Sequence, residues 1–243
     1  CQPALVEGIK EEYVLEIMGL IKKRPANTVN KDMVTGEVEL QAQQIKILAK
    51  AASLPFDCMG KDLNLTLPTL LDNRPLTIRN PEIKNIFKVG ESIVESFRKT
   101  LKSLDFTEFQ SPNIVPVVAE GGADVFRLDY YKYDAYLSQS PQIYKQIMLS
   151  AFERVFTVAH VYRAEPSVTT RHIAEFTSLD AEMAFIDSWQ DLMDTCELII
   201  RNMFADLKPL KVDVPELGRE IPRIKMREAQ KIILGRTGRN NLK

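Results

Sequence analysis

The 243-residue chain has few of the residues that build metal centres or disulfide frameworks. It contains three cysteines, Cys1, Cys58 and Cys196, and two histidines, His160 and His172. Cysteines so far apart in sequence form neither a metal knuckle nor a small disulfide scaffold, which indicates a reducing compartment, the cytoplasm. With only two imidazoles, a zinc site is not expected.

Long apolar runs and a strong net charge are missing as well. No stretch approaches the ~20 apolar residues of a membrane-spanning helix, and no signal or transit peptide is recognisable, so no membrane partner is expected. The formal net charge is −1. Any contact with nucleic acid must therefore come from a local patch rather than from general attraction.

The informative stretch runs from residue 154 to residue 185 and reads RVFTVAHVYRAEPSVTTRHIAEFTSLDAEMAF. Residues 155–162 are nearly all apolar or β-branched, which is typical of a strand buried on both faces. Residues 164–171 are polar and contain Pro166, which is typical of a loop. From His172 onward, successive side chains alternate between two faces. The pattern predicts a strand, a loop and a second strand.

The two faces of the second strand differ in character. One face is expected to point to the core: Ile173, Thr177, Leu179, Met183 and Phe185. The other carries ionisable groups around one large ring: His172, Ala174, Phe176, Ser178, Asp180 and Glu182. A solvated face is the ordinary interpretation, but Phe176 fits a flat ligand better than water. Arg163, with Arg171 and His172 across the loop, suits a phosphate. This face indicates a nucleotide and a charged second substrate.

The order VYRAE, variable loop, RHIAEFTSLDAEM resembles motif 2 of the class II aminoacyl-tRNA synthetases. It is most similar to aspartyl-tRNA synthetases of the archaeal and eukaryotic type. The resemblance implies an α+β fold, in which the antiparallel sheet of class II synthetases with flanking helices follows the end of an OB-fold β-barrel. Residues 1–54 would be the C-terminal part of the OB-fold anticodon-binding domain, 55–80 a hinge, and 81–243 the N-terminal part of the catalytic domain.

The first 80 residues are expected to contain strands and a linker. Residues 12–22 and 37–40 show strand-like alternation. OB-folds carry single-stranded nucleic acid on aromatic and basic surfaces, but Tyr13 is nearly alone as an aromatic residue there. A β-scaffold without an RNA site is therefore an equal interpretation. Residues 55–80 contain three prolines and little periodicity, which indicates an ordered linker without helices or strands.

A long helix follows the linker. The tripeptide Asn-Pro-Glu at 80–82 is a typical helix start. Apolar residues at helical spacing from Ile86 to Leu104 predict an amphipathic helix that ends near Asp105. In the family a long helix, a strand and a proline, here Pro112, form motif 1 and the homodimer interface. The ordinary alternative is an amphipathic helix packed on its own sheet.

A glycine-containing segment, AEGGADVF, is the next candidate for substrate contact. The two glycines after Glu120 permit close approach of a ligand to the backbone, although a plain turn has the same composition. In the family this segment is the mobile loop that closes over the amino acid. Ala119 stands where the family usually has Ser or Thr, so the resemblance implies that one hydrogen bond to the substrate would be missing there.

The segment QSPQIYKQ, residues 139–146, predicts a helix with Ser140 as its cap and Pro141 as its first residue. Gln142 and Lys145 lie three apart and share one face. A lysine near a helix start is ordinarily solvated, whereas in aspartyl-tRNA synthetases the lysine of this pattern pairs with the β-carboxylate of aspartate.

The C-terminal part is expected to be mostly helical. Residues 186–207 predict a helix with a buried stripe of Leu192, Met193, Cys196, Leu198, Ile199, Ile200, Met203 and Phe204. Residues 221–235 predict a short strand and a helix that ends at Gly235. Nothing here matches motif 3, which carries the γ-phosphate arginine, or the family's acidic ligands of Mg²⁺. The chain is therefore expected to be a piece that is inactive alone.

The resemblance implies ATP-dependent attachment of aspartate to tRNA(Asp) through an aspartyl-adenylate. The implied partners are ATP with Mg²⁺, L-aspartate, tRNA(Asp) and a second copy of the chain. By resemblance Arg163 would be catalytic. The implied ATP-binding residues are Arg163, Glu165, Arg171, His172 and Phe176, and the implied aspartate-binding residues are Glu120, Gln142, Lys145 and Asp180.

Three alternatives stay open on the sequence. One is a synthetase of the same fold that is asparaginyl-specific or non-discriminating. The second is a paralogue that has lost catalysis and serves as a binding or interaction module. The third is a nucleic-acid-binding β-barrel whose second domain only dimerises.

Overall fold

The computed structural model describes residues 6–31, 33–58, 60, 63–119, 124–166 and 172–238. The chain divides into two compact units, Cys1–Pro81 and Glu82–Lys243, and each is described by itself. Two expected site residues, Glu120 and Arg171, lie outside the described residues. Within the described part, no helix has both the length and the apolar composition needed to cross a membrane.

The first unit is built on a long antiparallel ribbon. The two stretches with strand-like alternation are strands, β1 (Val14–Lys23) and β2 (Val38–Ala49), and they pair with each other; a 3₁₀ turn lies at Ala26–Thr28. The register shifts at Gly19, where a Cβ atom would lie 2.2 Å from the carbonyl oxygen of Gln41. Only glycine fits so close an approach. Exposed apolar side chains lie along both strands: Ile17, Met18, Leu20, Ile21, Val38, Leu40, Ile47 and Leu48.

The expectation of a linker without helices is wrong for part of residues 55–80. Two short helices, α1 (Leu67–Asp72) and α2 (Arg74–Thr77), lie there. Each has a proline in its first turn, where a missing N–H costs nothing. The Thr66 hydroxyl caps α1, and the Thr77 hydroxyl donates to the Leu70 carbonyl at 2.9 Å. Helices this short have too few residues to show periodicity.

The second unit opens with α3 (Pro81–Ser103), which begins at the predicted proline. Short strands follow, β3 (Thr107–Glu108), β4 (Ile114–Val115), β5 (Arg127–Tyr130) and β6 (Tyr133–Leu137). The remaining elements are α4 (Gln142–Met148), β7 (Arg154–Tyr162), β8 (Glu175–Met183), α5 (Trp189–Leu207), a 3₁₀ turn (Lys208–Leu210) and α6 (Met226–Thr237).

Two three-stranded sheets organise the described part of this unit, in the orders β3-β7-β8 and β4-β6-β5. All pairings are antiparallel, as predicted, except that β3 runs parallel to β7. The core lies where α3 crosses β7: Phe97, Leu101, Phe106 and Phe156 are buried together. Phe97 and Phe156 meet edge to face, with ring centroids 5.7 Å apart, a favoured aromatic geometry.

Helix α5 packs beside α3 but buries less of its surface than the periodicity predicted. Asn202 donates to the Thr100 hydroxyl at 3.0 Å, and Ile199 and Met203 join the core. Four residues of the predicted buried stripe are instead exposed: Leu192, Cys196, Leu198 and Ile200. The contacts of α5 with α3 and the sheet come from one side of the helix, which carries Thr195, Ile199, Asn202 and Met203. Its apolar residues therefore outnumber the buried positions.

The boundaries near the C-terminus also differ from the predictions. Helix α5 starts at Trp189, after a capping box formed by Ser188 and Asp191. Residues 221–225 form no strand. Helix α6 continues past Gly235 and ends where Gly238 adopts a left-handed conformation, with φ of 68°. Both glycines suited a helix stop, and only the second has the positive φ that a glycine cap supplies.

Candidate active site

The β7–β8 hairpin separates a core face from a polar face, as the alternation predicted. In the register, Val161 stands opposite Phe176 and Thr157 opposite Asp180, and directly opposed residues share a face. Core-facing residues of the pair are Phe156, Val158, Leu179, Ala181 and Met183. The other face of β8 therefore carries Phe176, Ser178, Asp180 and Glu182.

Three residues assigned to the core face are exposed instead. Strand β8 starts at Glu175, so Ile173 precedes it and is not held by the ladder. Thr177 is exposed beside α3. Phe185 lies beyond the strand at φ of 53° and is exposed. Two of these residues lie outside the hydrogen-bonded ladder, whereas Thr177 lies within it and lines an open groove beside α3. The alternation therefore predicts the face on which a ladder residue lies, but not its burial.

Backbone hydrogen bonds hold the segments just before α4 and just before β5 against the end of β7. The Tyr162 N–H donates to the Ser138 carbonyl at 2.8 Å, and the Ala164 N–H donates to the Asp124 carbonyl at 2.9 Å. Helix α4 begins at Gln142, one residue later than predicted, with Pro141 at the cap position. The Ser140 hydroxyl accepts from the Gln142 N–H at 3.1 Å. These contacts place the face that carries Lys145 over the polar face of β8.

Lys145 is buried, which excludes the solvated interpretation of this lysine. Its side chain is 7% exposed, and its Nζ lies 3.0 Å from Asp180 Oδ1 and 3.3 Å from Glu182 Oε2. The Ser178 hydroxyl donates to the other oxygen of Asp180. Because a buried ammonium is tolerated only when it is paired and hydrogen-bonded, these acids hold the lysine in place.

The expected nucleotide residues meet in two pairs. The Arg163 guanidinium carbon lies 5.5 Å from the centroid of the Phe176 ring, a cation–π distance. The Arg163 N–H donates to the Ala174 carbonyl at 2.9 Å, which fixes the backbone at the end of the hairpin. His172 Nε2 lies 3.8 Å from Glu165 Oε2.

The two pairs and the lysine cluster lie along one strand. Phe176 and Asp180 are four residues apart on β8, which corresponds to about 13 Å at the strand rise. Gln142 is half-buried and lies about one helical turn before Lys145. An elongated ligand can therefore lie along the strand, with an aromatic and cationic end at Phe176 and a zwitterion-binding end at Asp180.

Two side chains of this face received no role from sequence reasoning, Ser178 and Glu182. The alternation placed both of them correctly, but their contacts with Asp180 and Lys145 depend on tertiary packing. On the opposite face, burial raises the pKa of Tyr162, and the charge of Glu175 together with the hydrogen bond to it raises the pKa further. Among the described residues, no group of three or more His, Cys, Asp or Glu side chains could hold a metal ion.

The chain belongs to the family of class II tRNA synthetases described as "D, K and N", whose model matches residues 66–241. An "Aspartate--tRNA(Asp/Asn) ligase" of Deinococcus radiodurans is 35% identical over 236 residues, 93% of this chain and 53% of that protein. An "Aspartate--tRNA(Asp) ligase" of Pyrococcus abyssi is 34% identical over 239 residues, 94% of this chain and 53% of that protein.

A solved structure shares the fold over nearly all of the chain. The asparaginyl-tRNA synthetase of Entamoeba histolytica in complex with asparaginyl-adenylate superposes with a TM-score of 0.80 at 27% identity. The match covers 99% of this chain and 55% of that one. The chain thus spans about half the length of the relatives it matches.

Proposed function

We propose that the protein containing this chain activates L-aspartate with ATP and transfers it to tRNA(Asp). Lys145 is the observation that carries this proposal, because a buried ammonium sits beside two carboxylates on the polar face of β8. Aspartate has the matching charges: an α-ammonium for Asp180 and a β-carboxylate for Lys145. The names of the relatives, aspartate–tRNA ligases, support the same substrate.

The buried lysine also discriminates among the three amino acids of the family description. A lysine substrate would bring a second ammonium to Lys145, and unscreened like charges are strongly disfavoured in a buried pocket. An asparagine side chain offers Lys145 only a neutral carbonyl oxygen. A carboxylate forms the stronger, charge-assisted hydrogen bond. The pocket therefore favours aspartate, with asparagine as the nearest competitor.

The proposed reaction has two steps. A carboxylate oxygen of aspartate attacks the α-phosphorus of ATP, the bond to the β-phosphate oxygen breaks, and pyrophosphate leaves. A ribose hydroxyl at the 3′ end of the tRNA then attacks the aspartyl carbonyl carbon, and AMP leaves. Neither step needs a covalent intermediate with the protein, so the side chains act through positioning and charge.

The residues expected to bind ATP have different roles in these two steps. Phe176 stacks on adenine, and Arg163, whose guanidinium already lies over that ring, neutralises charge that develops on the α-phosphate. His172 and Arg171 are assigned to the terminal phosphates, and Glu165 to the adenosine or the tRNA end. Glu120 and Gln142 assist Asp180 with the ammonium.

The proposal also includes two surfaces that bind macromolecules, one for a second copy of the chain and one for the tRNA. The apolar side of α3 forms a groove of about 840 Å³ with Thr177 and Leu179, and we assign it to a homodimer interface. The β1–β2 ribbon is assigned to the end of an OB-fold that contacts the anticodon of the tRNA. A protein with these partners would act in the cytoplasm.

The test is ATP–pyrophosphate exchange by the intact protein with aspartate, asparagine and lysine supplied separately. We expect exchange with aspartate to be fastest and exchange with lysine to be absent. A protein that binds ATP but catalyses no exchange with any of the three would contradict the proposal and would favour a non-catalytic paralogue. Faster exchange with asparagine would instead identify an asparaginyl enzyme.

A further inference from the structure

Glu182 is a second partner of the buried lysine, and neither ATP nor the aspartate ammonium requires it. Its Oε2 lies 3.3 Å from Lys145 Nζ, slightly farther than Asp180 Oδ1 at 3.0 Å. We propose that Glu182 sets how strongly the pocket prefers an acidic substrate side chain over an amide, by sharing the Lys145 ammonium with the ligand. This inference rests on the proposed function.

The charges of the cluster give the reason. Lys145, Asp180 and Glu182 together carry a formal charge of −1, and Asp180 also accepts the Ser178 hydroxyl. When Asp180 takes the ammonium of the amino acid, Lys145 keeps Glu182 as its partner. A β-carboxylate that approaches Lys145 then meets the negative charge of Glu182, and two carboxylates around one ammonium repel each other. Asparagine carries no side-chain charge and does not experience this repulsion.

The residues on β7 that stand opposite Glu182 and Asp180 in the ladder carry no charge. Opposite it in the ladder stands Val155, which is fully buried and apolar. Opposite Asp180 stands Thr157, also fully buried. Glu182 itself is 28% exposed, so its effect on the ligand is reduced by solvent but not removed. It therefore limits the preference for aspartate that Lys145 alone would give.

The test uses Glu182→Gln in the intact protein. Glutamine has nearly the same size, and its amide oxygen can still accept a hydrogen bond from Lys145, so the lysine keeps its position while the charge is lost. The two quantities to measure are the KM for aspartate in pyrophosphate exchange and the Ki of asparagine as a competitor. We expect the ratio of Ki to KM to rise at least about fivefold, mainly through a lower KM for aspartate.

Two further variants separate charge from structure. Glu182→Asp keeps the charge and is expected to hold the ratio within about twofold of the wild-type ratio. Glu153→Gln makes the same chemical change at an exposed position just before β7, next to the same end of the hairpin. It is expected to leave both constants unchanged.

The outcomes separate this inference from the proposed function. Wild-type protein without aspartate-dependent exchange would overturn both. Exchange by the wild type and by Glu153→Gln, with an unchanged or lower ratio in Glu182→Gln, would overturn the role of Glu182 alone. If calorimetry shows that Glu182→Gln binds neither aspartate nor asparagine, Glu182 is only structural, and the inference is wrong as well.

Discussion

The Lys145 ammonium lies 3.0 Å from the Asp180 carboxylate, although the two residues are 35 positions apart in the chain. One comes from the last turn of the short helix α4 and the other from the middle of β8. Their pairing sets an ammonium and a carboxylate side by side on one polar face. These are the two charges that an amino acid with an acidic side chain requires.

Removal of the Phe176 ring is expected to weaken ATP binding. Phe176→Ala should cost about 1–3 kcal/mol of ATP affinity, the range known for bases stacked on aromatic side chains. Phe185→Ala is the matched control, because Phe185 is exposed beyond the end of β8. Equilibrium titration of ATP against both variants measures the effect. Equal affinities in the two variants would show that Phe176 does not stack on the base.

Removal of the Arg163 guanidinium is expected to affect the rate more than ATP affinity. The α-phosphate gains charge in the transition state, so a residue that neutralises this charge stabilises the transition state more than the bound substrate. Arg163→Ala should therefore lower kcat for pyrophosphate exchange by a larger factor than it raises the Kd for ATP. A larger change in Kd than in kcat would assign Arg163 to ground-state binding.

A network on α5 predicts a pH-dependent stability. The Arg201 guanidinium, 2.7 Å from Glu197, lowers the pKa of that carboxyl, and Arg223 lowers it further. A lowered folded-state pKa means stability that is present above the ordinary carboxyl value, about 4.3, and that is lost as the pH falls through the folded-state pKa. Wild type should therefore unfold at a higher Tm than Glu197→Gln at pH 7.

Thermal unfolding at a series of pH values from 7 to 3 checks this expectation. The difference in Tm between wild type and Glu197→Gln should shrink below about pH 4. Glu220→Gln, an exposed change on the loop before α6, should show no such trend. A difference that stays constant down to pH 3 would exclude a charged Glu197 as its source.

The apolar side of α3 is expected to hold two copies together. Ile86 lines the groove on α3 and is 64% exposed within the chain. A buried, unpaired carboxylate at a symmetric interface would be strongly unfavourable. Ile86→Asp should therefore shift the intact protein from dimer to monomer in sedimentation at micromolar concentration. Lys84→Asp lies two residues earlier on another side of the helix and should remain dimeric.

Local patterns were sufficient to predict the elements that carry the site. The alternation from Phe176 to Glu182 identified the polar face, since the period of a strand is fixed by the backbone. The Asn-Pro-Glu sequence fixed the start of α3 at Pro81. The start of α5 carried a readable signal too, because Ser188 and Asp191 have the spacing of a capping box.

Local sequence patterns do not predict which distant residues contact each other. Arg223 binds Asp194 and Glu197 across gaps of 29 and 26 residues, and several nearby acids were equally plausible partners. The same holds for Lys145 and Glu182, whose pairing depends on how α4 docks on β8. Periodicity gives the face on which a residue lies, whereas the partner on that face is decided by tertiary packing.

Aspartate-dependent pyrophosphate exchange by Lys145→Met in the intact protein measures whether this lysine binds the substrate side chain. Loss of the buried ammonium leaves the β-carboxylate of aspartate without its partner, a penalty of ~2–5 kcal/mol. The expected result is a loss of kcat/KM for aspartate of roughly 30-fold to several thousand-fold. Asparagine should be affected less, and Lys231→Met, an exposed change on α6, should behave as wild type. Unchanged aspartate kinetics in Lys145→Met would contradict the assignment of this lysine to the substrate carboxylate.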